Sequence, residues 1–131
     1  MGFQAGTQIS TGVQNTSIGR YSGGSNNVST GTANTSVGNY AGYSFTNGSY
    51  NVAIGAEALD SGASSSYNTA VGYNALSALV SSNNNTAIGT SSLSTATGAS
   101  NTGCGDHSGD GLTNGSFNNF FGHYAVGSSA G

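Results

Sequence analysis

Between Asn15 and Gly122 the chain restates one short alternation of polar and apolar positions. It reads "NTSIG" at 15, "NTSVG" at 34, "NVAIG" at 51, "NTAVG" at 68, "NTAIG" at 85, "NTGCG" at 101 and "NNFFG" at 118. Apolar residues at every second position over three to five residues predict a short strand, with Thr86 and Ile88 on one face and Asn85, Ala87 and Gly89 on the other. The seven starts are separated by 19, 17, 17, 17, 16 and 17 residues, and a half repeat, "GFQAG" from Gly2, precedes them. Such a unit is too short for a helix pair, and Gly, Asn and Thr at this density are poor helix formers. The reading is therefore an all-β fold over one repeat domain, residues 1–131, a β-solenoid or β-roll with one coil per ~17 residues. Seven coils about 4.8 Å apart make a rod on the order of 34 Å long.

Two further columns keep the register. Three residues after each motif glycine stand Ala5, Ser22, Ala41, Ala58, Ala75, Ser92, Ser108 and Ala125, all small. Seven residues before it stand Gly12, Gly31, Gly48, Gly98 and Gly115, mostly in Thr-Gly or Asn-Gly pairs that form turns. The copies lacking that glycine, around Gly62 and Ser81 to Asn84, are expected to turn irregularly. Ile18, Val37, Ile54, Val71, Ile88, Cys104 and Phe121 are the expected inward column and structural core. One or two such side chains per coil contribute roughly 1.5–3 kcal/mol each, against about 1–2 kcal/mol of backbone entropy per ordered residue. That shortfall favours a homo-oligomer packed through the small columns, with a narrow single-chain interior as the other use of Ala and Ser.

Composition narrows the function. One Lys or Arg, four acidic residues, 23 glycines and no Pro or Trp leave solubility to Ser, Thr and Asn. Seven Tyr and five Phe in strict order argue against disorder. Arg20 is the only fixed cation, so phosphate-backbone binding is excluded and no nucleic acid is expected. No run approaches 18 apolar residues, so no membrane insertion by a helix is expected, and the start "MGFQAGTQIS" lacks the basic and apolar regions of a signal peptide. One cysteine cannot form an internal disulfide.

"NTAVGYNAL", "GFQAG" and "NTSVGNYAG" resemble the repeats of phage tail-fibre and related surface-fibre proteins and, more distantly, the head repeats of trimeric autotransporter adhesins, over essentially the whole chain. The resemblance implies a homotrimeric extracellular fibre, a virion tail fibre or cell-surface appendage, that mediates attachment. The 17-residue unit is longer than the adhesin-head unit.

The two positions after each motif glycine vary freely and predict a solvent-facing strip. Tyr21, Tyr40, Tyr43, Tyr73, His107 and Tyr124 are the candidate ligand-binding residues, suited to stacking on sugar rings and bonding their hydroxyls. A cell-surface glycan or receptor is the expected partner beside the chain itself. Cys104, Asp106, His107 and Asp110 form the one grouping that resembles an active or metal site. Cys104 stands in the Ile/Val column, however, and reads as a small buried hydrophobe. His107 and His123, one coil apart, are placed to approach each other. No catalytic residue, metal or cofactor is assigned, and the chain is expected not to be an enzyme. A self-assembling filament subunit is the alternative. A third reading, ice binding by the repeated Thr, is disfavoured because Thr16, Thr35, Thr69, Thr86 and Thr102 share parity with the inward column and Val52 and Asn119 interrupt them.

Overall fold

A computed structural model describes residues 2–24 and 28–127. It is an all-β solenoid, with no helix among the described residues. Each motif forms one strand of three residues: β1 Thr16–Ile18, β2 Thr35–Val37, β3 Val52–Ile54, β4 Thr69–Val71, β5 Thr86–Ile88, β6 Thr102–Cys104 and β7 Asn119–Phe121. The strands pair in parallel and in chain order, so each coil adds one strand to one sheet. Register follows the repeat: Thr69 lies beside Thr86, Ala70 beside Ala87 and Val71 beside Ile88.

The alternation is present with its sense reversed. Ser36, Ala53, Ala70 and Ala87 are fully buried, whereas Ile18, Ile54, Ile88 and Phe121 are 46, 39, 44 and 69% exposed. Val37, Val71 and Cys104 are half-buried on the same outward side. The expected core column thus lies outside the coil. The cause is width. The opposite wall carries the small column, and Ala41, Ala58, Ala75, Ser22, Ser92 and Ser108 are all fully buried against the strands. At Gly103 even one methyl would come within 2.5 Å of Ser92 Oγ and 2.8 Å of Leu93 Cγ. An interior that excludes a methyl at one rank has no place for Ile or Val, and period-2 alternation then puts the larger side chains of β1 to β6 outside. The small columns therefore fill the chain's own interior, not a contact between subunits.

Large apolar side chains enter only where the coil widens beyond the small column. Phe45, Leu59, Leu76, Leu79 and Leu93 are buried there, and Phe120 takes the inward position of β7. The reading by alternation passed over these leucines because they lie on turns, at the fourth and seventh residue after a motif glycine.

The asparagine before each strand holds neighbouring coils together. The backbone N–H of Asn51 donates to Asn34 Oδ1 at 2.9 Å, that of Asn68 to Asn51 Oδ1 at 3.0 Å, and that of Asn85 to Asn68 Oδ1 at 2.9 Å. The side-chain amide then reaches a turn carbonyl of the next coil: Asn34 Nδ2 donates to Gly48 O, Asn51 Nδ2 to Ser65 O and Asn68 Nδ2 to Ser82 O. Asn51, Asn68, Asn85 and Asn101 are essentially buried, so this ladder satisfies amides that would otherwise be costly. Ser65 and Ser82 supply the same acceptor as Gly48, so the turns expected to be irregular keep the ladder. The side-chain amide changes partner where the repeat shortens to 16, with Asn85 Nδ2 donating to Asn83 O at 3.3 Å, and at the last rank, with Asn118 Nδ2 donating to Ser116 O at 3.1 Å.

The corners rely on left-handed backbone. The residue before each Asn and the second after each motif glycine have positive φ in every copy, including Tyr50, Tyr67, Tyr40 and His107 at 61, 59, 59 and 52°. The motif glycines themselves lie at φ 112–140°, and a Cβ on Gly72 would collide with the carbonyl of Gly89 one coil on. That column is closed to any other residue.

Candidate functional site

Two surfaces stand out. The first is the outward face of the sheet, where Thr16, Thr35, Thr69, Thr86 and Thr102 run beside the Ile/Val column in parallel, in-register ranks. None of its side chains carries a fixed charge. Three-residue strands cover about 10 Å across the chain and seven ranks about 30 Å along it, so the face covers ~300 Å². Cys104 lies half-buried on this face, beside Ile88 and Phe121 in register. It is an outward side chain there, which corrects its reading as a buried hydrophobe.

The second surface is the corner after each motif glycine. Tyr21 and Tyr40 stack with centroids 5.1 Å apart, Tyr43 meets Tyr40 edge-on at 5.0 Å, and Phe3 closes on Tyr21 at 5.6 Å. The Arg20 guanidinium lies 4.7 Å over the Tyr21 ring. The rings of these tyrosines engage one another along the rod, and all three are half-buried. Tyr73 stands in the same corner, 52% exposed, between the small Ala56 and Thr90 of adjacent coils. The structure thus gathers Tyr21, Tyr40 and Tyr43 and leaves Tyr73 apart.

The far end of that corner carries the histidines. Asp106 Oδ1 lies 3.1 Å from His107 Nδ1 and its Oδ2 lies 3.0 Å from His123 Nδ1, so one carboxylate receives two imidazoles from adjacent coils. Tyr124 stacks on His107 at 4.7 Å and meets His123 edge-on at 4.5 Å. The histidines meet through Asp106, as their spacing suggested, while Cys104 belongs to the flat face. Among the described residues no group of three His, Cys, Asp or Glu is arranged to hold a metal ion. Nearer the middle, burial pushes the Asp60 carboxyl above its usual range and Glu57 adds to the rise, while hydrogen bonds from Ser61 oppose it.

Sequence reasoning missed Tyr50 and Tyr67, which precede the motif Asn in consecutive copies and stack at 5.1 Å with 6° between ring planes. Their spacing of 17 residues was the available signal. No family model, curated protein or solved structure matches this chain.

Proposed function

We propose that the chain is a non-enzymatic structural segment of an extracellular attachment fibre, of the phage tail-fibre or bacterial adhesin kind, assembled as a homotrimer. The carrying observation is the outward Thr/Ile/Val face: Ile18, Ile54 and Ile88 are exposed in one in-register column of the sheet. Three copies packed parallel about that face would remove it from water. Its ~300 Å² would form the centre of a standard interface, in which each partner buries roughly 800 Å². The resemblance of the repeats to tail-fibre repeats supports the same reading, and the varied corner residues would then be the strip left to a glycan or receptor.

Light scattering with cross-linking at the single cysteine tests it. A mass of three chains, with a short bis-maleimide joining Cys104 to Cys104, is the expected result. A single-chain mass at all concentrations sinks the trimer, and growth without limit favours the filament.

One observation favours a second reading. The threonines face outward, which removes the objection that they share parity with a buried column. Second-neighbour oxygens in tetrahedrally bonded water lie about 4.5 Å apart for hydrogen bonds of about 2.75 Å, close to the ~4.8 Å between ranks. A single-chain mass together with thermal hysteresis would replace the fibre reading with ice binding.

A further inference from the structure

We propose that Tyr50 and Tyr67 form an oxidative coupling site, at which a peroxide-driven oxidant joins the two phenols into dityrosine and covalently ties adjacent coils. Their centroids lie 5.1 Å apart with ring planes 6° from parallel. The rings are 54 and 59% exposed, so an oxidant reaches both. Their alignment is built into the backbone: the two residues hold the same corner with φ of 61 and 59°. Tyr67 N–H donates to Ser49 O at 3.0 Å, which keeps the two corners in register. Ala33 and Asn84 occupy this corner in the flanking coils, so the pair is bounded on both sides.

The chemistry balances with one peroxide. Each phenol gives up its O–H hydrogen, as one electron and one proton, and the two phenoxyl radicals form a carbon–carbon bond between positions ortho to oxygen. The ring hydrogens at those carbons move to the oxygens as aromaticity returns. The peroxide takes up two electrons and two protons and leaves as two waters. The product closes a 17-residue loop in a chain whose single cysteine cannot form an internal disulfide. Tyr21 and Tyr40 stack at the same separation, 24° from parallel, but are half-buried between Phe3 and Tyr43. Exposure therefore selects Tyr50 and Tyr67.

The experiment treats the dilute full chain with a peroxidase and hydrogen peroxide, then reads dityrosine fluorescence and maps cross-linked peptides by mass. A single-chain product lighter by two hydrogens, linked 50 to 67, is expected, with its emission lost in both Tyr50→Phe and Tyr67→Phe and retained in Tyr40→Phe. Phenylalanine keeps the stacked ring, so the fold is preserved, and unchanged circular dichroism checks this. Emission that survives Tyr50→Phe, or linkage confined to other tyrosines, overturns the proposal.

Discussion

Ala70 and Val71 are consecutive residues of β4, yet one is fully buried and the other lies on the outward face. Through β6 the inner wall of the sheet consists of Asn, Ala, Ser and Gly and the outer wall of Thr, Ile and Val with Cys104, while β7 places Phe120 inward and Phe121 outward. Hydrophobicity alone would assign them the other way round. The comparison teaches that in a coil this narrow, side-chain volume decides which face turns inward, and apolar surface is left outside. Stability of the single chain rests on the inner wall. Association is proposed for the outer one.

Substitutions on the two walls should separate these roles. Gly72→Ala forces a Cβ onto the carbonyl of Gly89 at a φ of 138°. It is expected to cost about 4 kcal/mol or more, enough to unfold the chain, as read by circular dichroism. Next, Asn68→Ala strips the acceptor of the Asn85 N–H and the donor to Ser82 O, both at buried or half-buried sites. A loss of about 3 kcal/mol in urea denaturation is expected. If the cost is near zero, the ladder is not what holds the coils. Ser36 tests the inner wall in the other direction, since its hydroxyl is buried without a hydrogen-bond partner. Ser36→Ala matches Ala53 in the adjacent rank and should stabilise by about 1 kcal/mol.

On the outer wall the effect should appear in assembly. Ile54→Ser with Ile88→Ser is expected to change single-chain stability by less than about 1 kcal/mol while dispersing the proposed trimer in light scattering. Loss of fold instead would show that the outer wall stabilises each coil by itself. The smallest effect lies in the corner. Because burial and Glu57 raise the Asp60 pKa in the fold, the folded chain binds the proton more tightly than the unfolded one, and stability falls as pH rises from 3.8 through the raised value. Asp60→Asn should therefore stabilise by a few tenths of a kcal/mol at neutral pH. The gain should vanish on acidification below pH 3.8, and a gain that persists there would point to packing instead of charge.

The period, the strand positions and their parallel stacking were legible because each depends on local spacing: an Asn, an alternation and a glycine recur every 16 to 19 residues. The strip was legible in part. Variable positions after Gly38 and Gly105 do lie at an exposed corner, but that Tyr21, Tyr40 and Tyr43 would stack on one another depends on which rotamers adjacent coils permit. The buried leucines were hidden by lying on turns, where alternation carries no signal.

What the sequence by itself determined is the repeat, and with it the in-register β-solenoid, since copies of equal length can pair only like with like. Only the tertiary structure decided which side of each strand faces inward. Alternation is symmetric under that choice, and it is broken by the distance to the opposite wall, where Ala75 and Ser92 leave room for Ala70 and Ala87 and none for Val71 and Ile88. That one steric decision moved the apolar column from core to surface.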